Sequence, residues 1–331
     1  MNKLLTVVIP VYNTEKYLNK CLDSLIVPKY MEQLDIIVVI DGSKDNSSEI
    51  AHRYADKYPH TFRVIDKENG GHGSCCNVGL KEAQGKYLRF LDSDDWFDDT
   101  FEQYLDELNT TTADYVYTPI INEYVYNNTR CTDTKPLNRI TFGIVYNVSD
   151  LTKKETDLFF LGHGTFTTRI LRQNNLHFRE KVSYDDTILS GTGCLDVSSI
   201  LFLNYPIYHY LIGRPEQTVD ARVRASKIDD YILQMEDLFS VYEENKSKLG
   251  NYAQLQFCST ISGHLNILFA WLTLLPTKKD YDVKRREVIA KLSHFPSYKH
   301  FARKRYCTRY VLPYSFFKFL RQAKRAIKGS R

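Results

Sequence analysis

Short apolar segments alternate four times with helical patterns within residues 4–91 of this chain, and this alternation limits the folds available to it. The apolar segments are 4–11, 35–40, 62–65 and 87–91, and the first two are rich in β-branched residues, as buried parallel strands are. Between them, apolar residues recur at the spacing of amphipathic helices. Parallel strands joined by helices require right-handed crossovers, so the pattern predicts an α/β fold with a mostly parallel sheet flanked by helices.

Each of the four predicted strands is followed by a polar loop, and these loops carry most of the candidate functional residues. They are Tyr12-Asn13, Asp41-Gly42-Ser43, the glycine-rich segment 69–73 and the acidic segment 92–95. In open α/β sheets, ligands bind outside the carboxyl ends of the strands. We therefore expect the four loops to meet at one edge of the sheet and to form a ligand site there.

The acidic segment Asp92-Ser93-Asp94-Asp95 indicates a divalent cation. Three carboxylates at one strand end repel each other unless a positive charge lies between them. Mg²⁺ or Mn²⁺ is typically held by one or two carboxylates together with substrate phosphates. The alternative is an acidic helix N-terminus, where Asp is also favoured. The position directly after the fourth predicted strand favours the cation.

Two of the other loops suit a nucleotide. Asp41 can accept a hydrogen bond from a base N–H or a ribose hydroxyl, or it can form a simple turn with Gly42. Gly70 and Gly71 allow the backbone to approach a ligand closely, although a plain connector has the same composition. The chain has neither a G-x-x-x-x-G-K-[ST] phosphate loop nor a G-x-G-x-x-G turn after the first strand. P-loop phosphoryl transfer and dinucleotide-dependent oxidoreduction are therefore disfavoured.

Further candidates lie later in the chain. Asp185 and Asp186 form a carboxylate pair, and because close carboxylates raise one pKa, the pair suits a general base. The alternative for this pair is a helix N-cap. His209 lies in an aromatic predicted strand, where a packed histidine is commoner than a ligand. Arg214 follows that strand and can pair with a diphosphate or lie in a surface turn.

Composition places the chain among ordinary soluble proteins, with 43% apolar and 25% charged residues. No apolar segment reaches the roughly 20 residues that span a bilayer, and no secretory signal is visible after Met1. The seven cysteines show no C-x-x-C spacing, so they form no zinc framework and suit a reducing compartment. These features predict a cytoplasmic protein.

The segment 288–331 is strongly basic: it carries 12 Lys and Arg and no acidic residue, although the net charge of the chain is only +4. This charge predicts a polyanionic partner, either nucleic acid or anionic lipid. No zinc spacing, helix-turn-helix pattern or RNA-binding aromatic signature accompanies it, which disfavours nucleic acid. Residues 313–329 are typical of a basic amphipathic helix, which predicts peripheral binding to the inner face of the cell membrane. The alternative is that this helix packs on the protein.

Five segments resemble the motifs of family 2 glycosyltransferases in order and spacing. They are 8–13 (VIPVYN), 41–45 (DGSKD), 69–71 (NGG), 77–79 (NVG) and 91–95 (LDSDD), and the resemblance covers roughly residues 4–215. It implies the GT-A fold, with a Rossmann-like nucleotide-binding half, and an inverting reaction. It also implies a catalytic domain over 1–218, followed by a helical region over 219–331 that ends in the basic tail.

The resemblance further implies that the matched residues bind a UDP-sugar donor. The turn after the first strand would hold the uracil together with Asp41. Asp92 would lie near the ribose or the metal, and Asp94 would be the main protein ligand of Mn²⁺ or Mg²⁺. The implied donor-binding set comprises Pro10, Val11, Tyr12, Asp41, Gly70, Gly71, Asn77, Asp92, Ser93 and Arg214.

By the same resemblance Asp186 is the base, although its neighbour Asp185 stands where the family has Glu. His209 and Arg214 resemble the segment that closes over the diphosphate, with His209 as a further metal ligand. Many relatives carry Arg at the position of Cys76, so Arg214 is the expected diphosphate contact here.

We therefore predict a metal-dependent, inverting hexosyltransferase that transfers a sugar from a UDP-sugar to a glycan hydroxyl in cell-surface polysaccharide or glycoprotein synthesis. UDP-galactose and UDP-glucose are favoured, UDP-N-acetylglucosamine stays open, and the acceptor is lipid-linked or protein-linked. A nucleotidyltransferase would carry a glycine-rich basic loop where this chain has residues 10–13. A non-catalytic nucleotide-sugar-binding protein would lack metal or base carboxylates, and none is missing here.

Overall fold

The computed structural model describes residues 3–133, 137–214 and 221–303. Its strands are β1 (Lys3–Val11), β2 (Leu34–Asp41), β3 (Phe62–Lys67), β4 (Gly85–Phe90), β5 (Trp96–Phe97), β6 (Tyr115–Tyr117), β7 (Ile120–Tyr124), β8 (Thr129–Asp133), β9 (Val145–Asn147), β10 (Gly164–Thr167), β11 (Ser199–Phe202) and β12 (Tyr208–Ile212). Its α-helices are α1 (Glu15–Asp23), α2 (Ser47–Lys57), α3 (His72–Glu82), α4 (Phe101–Thr110), α5 (Thr168–Gln173), α6 (Thr187–Thr192), α7 (Ala221–Ser226), α8 (Ile228–Asn245), α9 (Asn251–Leu272), α10 (Lys278–Leu292) and α11 (Tyr298–Phe301).

The predicted mostly parallel sheet is confirmed. Eight strands lie in the order β3-β2-β1-β4-β10-β6-β11-β9. β1 pairs in parallel with β2 and β4, and β3 extends the parallel set beyond β2. β10 runs antiparallel between β4 and β6. Every residue of β2, and all of β1 except its first, is buried, which explains why these sequences are continuous apolar runs.

A second sheet of four strands, in the order β5-β12-β7-β8, determines where the end of β12 lies. β12 runs antiparallel to β5, which follows the acidic segment 92–95 directly, and parallel to β7. This pairing brings the residues that follow β12 to the edge of the fold where the acidic segment lies.

Helix α3 begins at His72, within the glycine-rich segment 69–73 that the sequence assigns to a loop. Part of that segment is therefore the first turn of a helix. Gly71 precedes it with a φ of 86°, a conformation that favours glycine. Gly79 lets α3 lie directly on β1, since a Cβ there would be 2.1 Å from Cγ1 of Val8. The helix thus holds His72 firmly at the carboxyl edge of the sheet.

The helices beyond residue 220 confirm the predicted helical C-terminal region. Ile188 of α6, Leu238 of α8 and Phe257 of α9 belong to one apolar core that includes Phe166 of the sheet. α6 fits against α8 because Gly191 has no side chain; a Cβ there would lie 2.4 Å from Cδ1 of Leu238. The core therefore fixes α6, and with it the carboxylate pair that precedes this helix.

Two predictions lie outside the described residues, namely the domain boundary after residue 218 and the basic helix over 313–329, and both stay predictions. Within residues 3–133, 137–214 and 221–303, no helix is both long enough and apolar enough to cross a bilayer.

Candidate active site

The turns after β1 and β2 are bonded to each other. The backbone N–H of Asn13 donates to Oγ of Ser43 over 3.2 Å, and that hydroxyl donates to the carbonyl of Val11 over 3.3 Å. Pro10 and Val11 are buried within β1, whereas Tyr12 is 48% exposed. Of the three residues predicted to hold the uracil in this turn, Tyr12 is the one whose side chain is accessible to a ligand.

Asp41 is buried and organises the glycine-rich loop. Its carboxylate accepts hydrogen bonds from the backbone N–H groups of Gly70 and Gly71, both over 2.8 Å, and pairs with Nζ of Lys67 at 2.7 Å. The N–H groups of Gly70 and Gly71 are therefore directed at Asp41, and the expected role of these two glycines in donor binding stays a prediction. Asp41 is thus bonded to the loop that follows β3, and its expected contact with the uracil stays a prediction.

Asn77, whose expected role in donor binding stays a prediction, is bonded through its side chain to Phe178. Its Nδ2 donates to the carbonyl of Phe178 and its Oδ1 accepts from the N–H of Phe178, both over 2.8 Å. Both ends of the amide are therefore engaged by backbone. Asn77 thus bonds α3 to the segment that leads to Asp185, and it affects the site by holding these two elements together.

The three aspartates of the acidic segment have different environments. Asp95 is buried and accepts from the hydroxyl of Tyr208 at 2.6 Å and from the N–H of Leu211 at 2.8 Å. Burial and the neighbouring Asp94 raise the pKa of Asp95 well above its usual value. The side chain of Asp92 is 35% exposed, so among the three it is the most accessible carboxylate. Ser93 is buried, and its Oγ accepts from the hydroxyl of Thr14 at 3.0 Å.

Arg214 lies on Asp94, with Nε donating to a carboxylate oxygen of that residue. Burial and Asp92 raise the pKa of Asp94, and the charge of Arg214 opposes this shift. Carboxylate oxygens are the ligands that Mg²⁺ and Mn²⁺ prefer, so Asp92 and Asp94 fit the predicted metal. In this structure the guanidinium supplies the positive charge that Asp94 requires.

His209 contacts two carboxylates outside the acidic segment, and its expected role as a metal ligand stays a prediction. Its Nδ1 contacts Oε1 of Glu123 at 2.8 Å and its Nε2 contacts Oδ2 of Asp98 at 3.0 Å. The ring stacks on Trp96 with a centroid separation of 5.0 Å. Both ring nitrogens therefore have carboxylate partners, and the residue joins β12 to β7 and to the start of α4.

The pair Asp185-Asp186 lies at the start of α6, close to the acidic segment. Oδ2 of Asp185 contacts Nδ1 of His72 at 2.8 Å, and Nε2 of the same ring contacts Oδ1 of Asp92 at 3.2 Å. One histidine thus joins the two acidic clusters that were predicted separately. His72 was not among the predicted site residues. The sequence did contain a signal for it, because a titratable side chain lies within the glycine-rich segment that follows the third predicted strand.

Asp186 has the properties of a general base. It occupies the N-cap position of α6, yet its side chain makes no capping hydrogen bond, so capping does not explain its presence. Burial, and then the charge of Asp185, raise the pKa of Asp186 to about 6, while His72 opposes the shift. A carboxylate with this pKa is ionised at neutral pH and accepts a proton more readily than an ordinary aspartate.

His72, Cys76 and Asp185 bring three potential metal-ligand atoms within 4.8 Å of one another. Sγ of Cys76 lies within hydrogen-bond range of both ring nitrogens of His72, at 3.7 Å from Nδ1 and 3.8 Å from Nε2. Burial raises the pKa of the Cys76 thiol to about 11. Because metals bind the thiolate, we interpret this group as a hydrogen-bonded cluster.

Comparison with known proteins identifies the family. Residues 6–176, about half of the chain, match the sequence model of Glycosyl transferase family 2. The chain belongs to this family. GlyG of Streptococcus pneumoniae serotype 4 is 30% identical over 223 residues, which are 63% of this chain and 71% of GlyG. The predicted family is therefore confirmed.

Other relatives match over a shorter segment. Glycosyltransferase GlyA of the same organism is 43% identical over 101 residues, or 30% of this chain and 14% of GlyA. The putative glycosyltransferase EpsH of Bacillus subtilis is 45% identical over 101 residues, or 30% of this chain and 29% of EpsH. The matched segment thus covers less than a third of each of these two relatives.

Solved structures confirm the GT-A-like fold. S. aureus TarS 1-349 in complex with UDP-GlcNAc aligns over 90% of this chain and 92% of its own, with a TM-score of 0.54 and 19% identity. Mannosyltransferase PcManGT from Pyrobaculum calidifontis, in complex with GDP-Man and Mn²⁺, aligns over 91% of this chain and 83% of its own, with a TM-score of 0.51 and 15% identity. At these identities the likeness concerns the fold alone.

Proposed function

We propose that this enzyme is an inverting hexosyltransferase that uses a UDP-sugar and a divalent cation, with Asp186 as the base. The observation that carries the proposal is the His72 bridge, which brings the acidic segment 92–95 and the pair Asp185-Asp186 to one edge of the sheet. The acidic segment suits a diphosphate with its cation, and the pair Asp185-Asp186 suits deprotonation of an acceptor hydroxyl. A single displacement reaction requires both functions side by side.

The reaction follows from these positions. Asp186 removes the proton from an acceptor hydroxyl as the oxygen attacks the anomeric carbon on the face opposite UDP. The bond between that carbon and the diphosphate oxygen breaks, and UDP leaves with the electron pair. Asp92 and Asp94 would hold Mn²⁺ or Mg²⁺, which neutralises the diphosphate when bound. Arg214 is close enough to Asp94 to add its charge to the leaving group.

The donor and acceptor classes rest on the relatives. TarS has been solved with UDP and with UDP-GlcNAc, which supports a UDP-sugar donor. GgaB of Bacillus subtilis, a minor teichoic acid biosynthesis protein, is 42% identical over 102 residues, or 30% of this chain and 11% of GgaB. We propose UDP-galactose, UDP-glucose or UDP-N-acetylglucosamine as donor and a surface glycan, lipid-linked or protein-linked, as acceptor.

Measurement of UDP release tests this proposal. The purified enzyme is incubated with MnCl₂ or MgCl₂ and each of the three UDP-sugars, first with water and then with simple glycosides as acceptor. We expect release from at least one donor, loss of release with EDTA, and a β-linked product from an α-linked donor. Retention of the α configuration would contradict the inverting mechanism.

The pH dependence of turnover reports on Asp186. Its raised pKa of about 6 means that the base is protonated, and therefore inactive, at lower pH. We expect kcat for UDP release to be level above neutral pH and to fall about tenfold for each pH unit below about 6. A pH–rate profile between about pH 4.5 and 8.5 measures this. A constant rate from pH 7 down to pH 5 would contradict the assignment.

We further propose that the basic tail binds the cytoplasmic face of the membrane, where a lipid-linked acceptor would also lie. Each Lys or Arg near an anionic leaflet contributes roughly 1 kcal/mol. Truncation after Arg303 tests this, because it leaves Tyr298 and Phe301, which are buried in the core, in place. We expect the full chain to co-sediment with anionic vesicles at low salt and the truncated chain to stay in solution.

Vesicles of neutral lipid serve as the control for the tail, and added salt should weaken binding because it screens surface charge. Equal sedimentation of the full and truncated chains with anionic vesicles at low salt would contradict membrane binding by the tail.

A further inference from the structure

His72 lies between the two halves of the site. Nδ1 is 2.8 Å from Oδ2 of Asp185, and Nε2 is 3.2 Å from Oδ1 of Asp92. Asp185 is 4% exposed, so its end of this contact is buried, whereas Asp92 is partly accessible. The two contacts are therefore unequal: the bond to Asp185 is shorter and more buried.

The chain around His72 is built to bring α3 close to the segment that carries Asp185. A Cβ at Gly73 would lie 2.6 Å from the carbonyl oxygen of Arg179 and 2.9 Å from Oδ2 of Asp185, so no larger residue fits there without movement. The N–H of Lys181 donates to the carbonyl of Gly70 over 2.8 Å. Together with the Asn77 contacts, these features fix the backbone on both sides of the His72–Asp185 bond.

The contact between His72 and Asp185 constrains the proposed base. Asp185 and Asp186 are adjacent, and α6 begins directly after them, so holding the first side chain limits the orientation of the second. The carboxylate of Asp186 receives no capping bond from its own helix. Its position therefore depends on Asp185 and on the packing of α6 against α8.

We propose that His72 is a positioning residue for transfer: through Asp185 it holds Asp186 at a fixed place relative to the donor side of the site. This inference rests on the proposed function, because it requires Asp186 to act as the base. A displacement of about 1 Å at a reacting group lowers rates on the order of 100-fold. His72 therefore controls turnover, while nucleotide binding depends mainly on the residues after β1, β2 and β4.

Two conservative variants separate the contacts of the ring. An Asn amide nitrogen reaches the place of Nδ1, and a Gln amide nitrogen reaches the place of Nε2. His72→Asn therefore retains a donor for Asp185, and His72→Gln retains a donor for Asp92. We expect His72→Ala and His72→Gln to lower kcat for UDP release about 100-fold with little change in the Kd for UDP. His72→Asn should restore kcat to within about tenfold of the wild type.

A double-mutant cycle tests whether His72 acts through Asp185. Two residues that act as one unit are not additive. We expect His72→Ala to lower kcat strongly in the wild-type background and to have no further effect in Asp185→Ala. His52→Ala is the matched control, because His52 also pairs with a carboxylate, Asp66 at 2.7 Å, but on the exposed surface of α2. It should leave kcat unchanged.

The assay uses UDP release from the best UDP-sugar with water as acceptor, and UDP affinity is measured by calorimetry. Thermal unfolding of each variant checks that it folds. If His72→Ala does not fold, the comparison of His72→Asn with His72→Gln still tests the inference. Two results would overturn the inference. One is that His72→Gln restores kcat and His72→Asn does not, and the other is that all His72 variants have the kcat of the wild type. If the wild type releases no UDP, or Asp186→Asn releases it normally, the proposed function fails and the inference fails with it.

Discussion

Replacement of Asp186 by Asn is expected to abolish turnover while UDP still binds. The amide preserves the shape of the side chain but cannot accept the proton of the acceptor hydroxyl. General base catalysis contributes about 10²- to 10⁴-fold, and we expect a loss of about 10³-fold because burial raises the pKa of Asp186 to about 6 and makes it an effective base. UDP release measures turnover, and calorimetry measures the retained affinity.

Asp185→Asn is the matched control for this variant. The Asn side chain can still accept a hydrogen bond from His72, so the expected loss of turnover is smaller than for Asp186→Asn. Near-normal turnover in Asp186→Asn, together with an inactive Asp185→Asn, would show that the base is Asp185 and that our assignment is wrong by one residue.

Replacement of Asp94 by Ala is expected to remove metal-dependent UDP binding and transfer. Asp94 is buried beside Asp92 and is the carboxylate that Arg214 contacts. Without it, one of the two proposed oxygen ligands of the cation is lost. A bound cation contributes several kcal/mol to such charge neutralisation, so we expect UDP affinity in MnCl₂ to fall about 100-fold or more. Calorimetry with and without EDTA measures this loss.

Asp99→Ala is the matched control, because Asp99 belongs to the same acidic stretch but is exposed. It should bind UDP as the wild type does. Residual binding by Asp94→Ala that does not respond to EDTA would indicate direct pairing of Arg214 with the diphosphate. Full transfer activity of Asp94→Ala in the presence of EDTA would contradict the metal assignment.

The sequence predicted the fold and the edge that carries the site, because both depend on local patterns. The continuous apolar segments of β1 and β2 and the helical spacing between them specify a parallel sheet. The carboxyl ends of parallel strands lie at one edge, so Asp41 and the acidic segment were expected to converge. The position of Asp186 before a helix was likewise visible in the sequence.

The contacts of individual side chains were decided by the tertiary structure. The sequence assigns His72 to a loop because glycines surround it, yet α3 begins at this residue and packs on β1 at Gly79. Its contact with Asp185 joins residues 113 positions apart. Local sequence patterns do not predict contacts between residues so far apart in the chain. Asn77 likewise bonds to Phe178, 101 positions away.

Local sequence patterns thus specify which residue types lie at the carboxyl edge, whereas long-range packing specifies which of them face one another. His209 shows the physical reason. A buried imidazole must find hydrogen-bond partners, and the pairing of β12 with β5 and β7 places Asp98 and Glu123 on its two nitrogens. The same pairing places Arg214 on Asp94. Periodicity specifies strands and helices, but the register between distant strands specifies which charges meet.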